Sequence, residues 1–184
     1  SSSMPWQIGF INIERPGRGV TVSAMGINGA QLSQWSKWRP GMWEDLAQTK
    51  ADLIILAYGT NEAFSGNLDI SSTERTWRNY IRQIKNTLPN AGILILGAPE
   101  SLKTAYGSCG NRPVLLSEVQ QMQQRVARDE KIMFWSWQDA MGGACSMKNW
   151  MAQGLAAKDG VHFSAQGYET AADKLADSLI RFAQ

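Results

Sequence analysis

Two stretches of the chain, residues 52–58 and 92–98, are continuous apolar runs bounded by polar residues. Strands covered on both faces read this way. Between them, Trp77, Ile81, Ile84 and Leu88 recur at helical spacing, which predicts a helix over residues 72–88. Ser71 and Glu74 fit a capping box at its start. A second helix is predicted over 113–128, with Leu115, Val119, Met122 and Val126 inward, and then a strand over 131–137. Residues 139–158 read as a long irregular connection. A last helix begins near Ser164, a good N-cap, and its predicted buried stripe is Tyr168, Ala171, Leu175 and Leu179. Nearer the amino end, residues 6–14 alternate apolar and polar as a half-buried antiparallel strand does, and residues 15–19 break that strand with turn residues. Residues 19–24 are predicted as a short strand, 25–30 as a glycine-rich turn, and 31–37 and 41–48 as two helical pieces, with Pro40 harmless near the start of the second.

Strands alternating with helices predict an α/β fold with an open parallel sheet, doubly wound in three layers. Its crossovers should be right-handed. Ligands of such sheets bind beyond the carboxyl ends of the strands. Residues 26–30, 59–62, 97–110 and 158–162 all open onto that rim.

At 184 residues the chain is long enough for one domain with a real core. Hydrophobic residues make up 43% and charged residues 18%, a globular composition. A net charge of +2, with no Lys/Arg block, gives no basis for nucleic-acid binding. No apolar run approaches the ~18 residues of a membrane span. Cys109 and Cys145 lie in Gly-rich, polar stretches. One histidine cannot complete a zinc site with them at any usual spacing. They are either two free thiols or one disulfide, and paired loop cysteines suit an oxidising compartment. No metal or cofactor is expected.

The single histidine, His162, lies in Lys158-Asp159-Gly160-Val161-His162-Phe163-Ser164. An imidazole takes and returns protons near neutral pH, and a nearby carboxylate can orient it. A solvated histidine beside a capping aspartate would give the same pattern. In Gly59-Thr60-Asn61-Glu62, the Asn61 carboxamide can donate to an oxyanion, or simply turn the chain. In Ile27-Asn28-Gly29-Ala30, Gly29 can offer an unobstructed backbone N–H, or simply supply a positive φ. Taken together on one rim, Asp159, His162, Asn61 and Gly29 make an acyl-transfer site that lacks its nucleophile.

Those motifs resemble the SGNH/GDSL hydrolases. Ile27-Asn28-Gly29-Ala30 is similar to that family's second block, Gly59-Thr60-Asn61-Glu62 to its third, and Asp159-Gly160-Val161-His162 to its fourth, in the same order and spacing. More narrowly, Val22 through Gln31, Gly59 through Phe64, Gly97 through Ser101 and Trp150 through His162 resemble the bacterial peptidoglycan O-acetylesterases. The resemblance implies a flavodoxin-like sheet and a Ser-His-Asp triad. Asp159 and His162 would be catalytic, with Gly29 and Asn61 in the oxyanion hole. The substrate would be O-acetylated peptidoglycan glycan, and the location the periplasm or cell envelope of a Gram-negative bacterium.

The family's first block, Gly-Asp-Ser, occurs nowhere in the chain, and no Gly-x-Ser-x-Gly replaces it. The expectation is a carboxyl-side part of a longer protein. Residues 1–18 would end an inserted β-rich module, and residues 19–184 would be the hydrolase domain. The first strand and the nucleophilic serine would come from another polypeptide segment. A missing inner strand would leave sheet edges bare, so the chain should not fold stably without it. Two other readings remain: a non-catalytic glycan-binding module of hydrolase ancestry, and a cysteine hydrolase pairing Cys145 with His162, which a Cys109–Cys145 disulfide would exclude. Eight tryptophans add a further clue, because indoles stack on sugar faces. Trp35, Trp38 and Trp43 crowd the region after Gly29, although any one of them is more readily a packing anchor.

Overall fold

A computed structural model describes residue 17, residues 19–38 and residues 40–182. The alternating stretch 6–14 lies outside the described residues. Three parallel strands, β1 (Leu53–Leu56), β2 (Gly92–Leu96) and β3 (Met133–Trp135), form one sheet in the order β1-β2-β3. The helices in chain order are α1 (Met42–Thr49), α2 (Thr60–Phe64), α3 (Ile70–Thr87), α4 (Leu116–Glu130), α5 (Trp137–Met141), α6 (Met147–Ala152) and α7 (Ala165–Phe182), with a 3₁₀ turn at Leu32–Lys37 before them. The α/β parallel architecture is as the hydrophobic pattern predicts.

Register sorts the strand side chains onto two faces. Ile54, Leu56, Ile93, Ile95 and Phe134 face the larger core, where Trp77, Ile81 and Ile84 of α3 meet Val119, Met122 and Val126 of α4. Burial at ~25 cal/mol per Å² makes this cluster the main stabilising mass. Charged pairs close its rim. Arg78 donates to Glu74 one turn back and to Asp129 of α4, and Arg82 and Lys85 reach Glu130. The opposite face carries Leu53, Ile55, Leu94, Leu96, Met133 and Trp135. Trp135 joins a smaller cluster under α5, α6 and α7, but Ile55 at the β1 end is 43% exposed.

Several elements differ from expectation. Residues 19–27 form no strand and are exposed, Val20 at 91% and Val22 at 84%. Among the described residues nothing pairs with them, and an unpaired extended segment has no ladder to define it as a strand. The α3 cap is Asp69, which accepts from Ser72 N–H, so the helix starts before the predicted Ser71 box. Residues 139–158 contain most of α5 and all of α6, two helices too short for a strong apolar period. On α7 only Ala171 of the predicted stripe is buried. Leu175 and Leu179 are half-buried and Tyr168 is exposed. Cys109 and Cys145 form a disulfide with Cα atoms 4.7 Å apart. This removes the thiol that a Cys145–His162 hydrolase would need.

Candidate active site

Residues 156–163 fold back on themselves, with an isolated antiparallel bridge between Ala156 and Phe163 and a bond from Ala157 N–H to His162 O at 2.8 Å. One carboxylate organises the tip. Asp159 Oδ1 accepts from the N–H groups of Val161 (2.8 Å) and His162 (3.0 Å), while Oδ2 lies 2.7 Å from His162 Nδ1. Partial burial opposes ionisation of Asp159, but the His162 N–H, the His162 ring and the Val161 N–H outweigh it and hold its pKa to about 2. An ionised Asp159 keeps the Nδ1 proton of a neutral imidazole on its own side, so Nε2 faces outward as an acceptor. The His162 side chain is 72% exposed.

The tip is braced from below. Leu102, buried in the loop after β2, donates its N–H to Gly160 O at 2.8 Å. Gly160 has φ +70°, which favours glycine, and a Cβ there would sit a tight 3.0 Å from Leu102 Cβ. The 97–110 loop is fixed in turn by Glu100. That fully buried carboxylate pairs with Arg112 and accepts from Gln138. The disulfide joins the same loop to residue 145. Ser164 Oγ accepts from Gly167 N–H and caps α7, as its position predicts.

Of the second pair, Asn61 sits in the first turn of α2, directly after β1, and Gly29 on the loop before the 3₁₀ turn. A turn closed by Ala30 N–H to Ile27 O places Gly29 at φ +76°, exposed, with open space around its Cα. Asn61 Nδ2 donates to Ala30 O at 3.0 Å, which leaves its second amide hydrogen for another acceptor. Gln31 Nε2 returns a bond to Asn61 O at 3.2 Å. Thus Gly29 and Asn61 come together, as do Asp159 and His162. Both pairs open at the carboxyl-end edge of the sheet. Among the described residues no serine or cysteine is bonded to His162.

Glu62 was not singled out by sequence reasoning beyond its place in the block. It is 1% exposed, and its two oxygens accept from Leu32 N–H and Gly59 N–H, each at 2.9 Å. Burial raises its pKa, although backbone N–H groups of Leu32, Glu62 itself and Gly59 favour the charged form. One carboxylate therefore ties the Gly29 loop to the Asn61 loop. Gln123 does similar work behind it, accepting from Ala98 N–H (2.8 Å) and donating to Tyr58 O (2.7 Å). A Cβ on Gly59 would meet Gln123 Nε2 at 2.7 Å. A glutamate directly after an oxyanion-type Asn is the only sequence sign of the clamp, and nothing in the sequence marks Gln123.

Comparison with known proteins finds relatives of the same fold. A peptidoglycan O-acetylesterase structure is 69% identical over 87% of the chain, with a TM-score of 0.86. The chain spans 46% of that protein's length. An acetyl xylan esterase (16% identity, TM-score 0.65, covering 83% of this chain and 78% of its own) and a GDSL-like lipase from Parabacteroides merdae (19%, 0.62, 79% and 66%) share the fold. Curated proteins provide no match. The pattern of the GDSL-like lipase/acylhydrolase family matches residues 11–170, and with its motifs folded onto one rim the chain belongs to that family.

Proposed function

We propose that this chain is the carboxyl-side part of a serine esterase that removes O-acetyl groups from peptidoglycan glycan, with its nucleophile on another polypeptide segment. The observation that carries the reading is the His162 Nδ1–Asp159 Oδ2 contact of 2.7 Å, with the other side of the ring open. The bare edge of β1 supports the missing segment. Among the described residues β1 pairs only with β2, and residues 19–24, exposed and without a partner there, carry Val20 and Val22 at the alternate positions of a strand. An inserted strand between them would satisfy both edges. Residues 19–184 would then form the hydrolase domain with that strand, and residues 1–18 would belong to a preceding β-rich module. The disulfide and the 69% identical peptidoglycan O-acetylesterase support a place in the periplasm or cell envelope.

In this mechanism the serine Oγ attacks the acetyl carbonyl carbon and His162 Nε2 takes the serine proton. Asp159, ionised, holds the imidazolium. The oxyanion is held by the Gly29 N–H and the free amide hydrogen of Asn61, at ~3 kcal/mol per donor. Collapse breaks the ester C–O bond, and the His162 imidazolium gives its proton to the leaving sugar oxygen, which departs as the hydroxyl. Water, deprotonated by His162, then cleaves the acetyl-serine and releases acetate.

The test is acetate release from O-acetylated peptidoglycan by the chain purified together with the Gly-Asp-Ser segment, against the same assembly with that serine changed to alanine. Release that depends on the serine supports the reading. An assembly that binds the glycan and releases no acetate would instead make the chain a glycan-binding module, the reading favoured by the lack of a nucleophile beside His162.

A further inference from the structure

A group of aromatic rings flanks the oxyanion side of the rim. Trp35 on the 3₁₀ turn, Trp38 just after it, Trp43 of α1 and Tyr80 of α3, with Ser36 and Met42, line a groove of about 280 Å³. Trp35 and Trp38 stack with centroids 4.8 Å apart and planes 19° apart. Trp35 lies 5.3 Å from Tyr80, and Trp43 lies 6.3 Å from Tyr80. The Trp35 indole N–H donates to the Tyr58 hydroxyl at 2.9 Å, which fixes the inner ring of the stack.

Full burial in the core would leave these rings no open area. Trp77 in the main core shows what that looks like, with no exposed surface. Trp35, Trp38, Trp43 and Tyr80 are all half-buried instead. Rings held rigid with area left open, and a few hydroxyls at the edge, are the make-up of a small-molecule site. None of the described residues lining the groove is charged. The groove lies close in the chain to the Gly29–Asn61 pair. Gln31, which donates to Asn61 O, immediately precedes the turn that carries Trp35. At ~2 Å rise per residue the two are about 8 Å apart along the turn.

We propose that this groove binds a pyranose ring of the glycan strand, beside the sugar whose acetyl group reacts. A pyranose presents a face of C–H groups that lies flat on an indole, and hydroxyls at its edge that Ser36 and Tyr80 can meet. The described lining residues, uncharged and rich in aromatic rings, suit the apolar face of a sugar. Trp38, the outer ring of the stack, is the platform. The identity of the ligand rests on the esterase reading above.

The test uses the assembled protein with two substrates, O-acetylated peptidoglycan and 4-nitrophenyl acetate, and the variants Trp38→Ala and Trp38→Tyr. The expected result is that Trp38→Ala lowers the ratio of kcat/KM for polymer to kcat/KM for small ester about tenfold, mainly through KM, and that Trp38→Tyr restores most of it. Equal losses on both substrates, or no change in the ratio, overturn the proposal. A second readout needs no catalysis. Indole fluorescence of the assembled protein is titrated with a tetramer of N-acetylglucosamine. A saturable change that Trp38→Ala abolishes and Trp38→Tyr keeps supports the groove, even if neither ester is cleaved and the esterase reading has failed. No change, or a change indifferent to Trp38, sinks it.

Discussion

His162 stands on a loop whose backbone is bonded at nearly every step, whereas Gly29 ends a stretch with no strand partner among the described residues. The His162 tip is gripped by Asp159, by Leu102 through Gly160, and behind those by Glu100 and the disulfide. Among the described residues the Gly29 turn is gripped only on its carboxyl side, through Ala30, Gln31 and Leu32 to Asn61 and Glu62. The sheet repeats the contrast. The face under α3 and α4 is sealed, and the face and edge at β1 expose Ile55. A parallel sheet normally has both faces covered. The proton-handling half of the site is therefore built within this chain. The half that would hold the oxyanion adjoins a β1 edge that no described residue pairs.

The largest effect tests the preformed half. Asp159→Asn keeps an Oδ1 that accepts from Val161 and His162 N–H, so the loop should hold. Its amide N–H₂ then faces Nδ1 and forces the proton onto Nε2, the wrong tautomer for a base. In the assembled protein kcat for acetyl ester should fall about 10⁴-fold. A loss under tenfold would mean that the pair is only structural.

The next effect tests the open half. If another segment covers β1, Ile55 becomes buried, and Ile55→Asp should cost the assembled protein at least about 2 kcal/mol in urea unfolding. If Ile55 faces water in the working protein, the substitution should stay within about 0.5 kcal/mol. Which result appears decides whether the asymmetry is an unfinished interface or simply a bare surface.

Much of this was legible in the sequence. The runs at 52–58 and 92–98 gave two of the three strands, because a strand buried on one face and sheltered on the other reads as continuously apolar. Asp159 and His162 were legible because a three-residue spacing brings a carboxylate and a ring together within one turn, whatever surrounds them. Residues 19–24 were misleading. Val20 and Val22 alternate as a strand should, but a strand is defined by its neighbour, and the pattern names none. Glu62 and Gln123 were hidden for another reason. Their roles come from which backbone N–H and C=O groups lie within reach, and only folding across 25 to 65 residues settles that.

Smaller in size is the clamp between the two halves of the oxyanion side. Glu62→Gln leaves one oxygen to accept where two backbone N–H groups need partners, and its N–H₂ must face either Gly59 or Leu32. The expected loss is ~1–3 kcal/mol of stability, with acetyl-ester kcat falling as Asn61 and Gly29 lose their shared reference. A variant as stable and as active as the wild type would show that the Ala30–Asn61 bond alone suffices.

The smallest effect is one of pH. Asp159 titrates at about 2 in the folded protein against 3.8 for a free side chain. A carboxyl with a lowered folded value adds stability that is fully present above 3.8 and is lost as pH falls toward 2. The group is half exposed, so solvent screening keeps the contribution small. Urea midpoints of wild type and Asp159→Asn, measured from pH 2.5 to 7, should differ by a constant amount above about pH 4. Below that the gap should close, because the wild type alone loses a charge. A gap that stayed unchanged from pH 4 down to 2.5 would mean that Asp159 is not held ionised by the Val161 and His162 N–H groups. The braced half of the site would then be less preformed than its geometry implies.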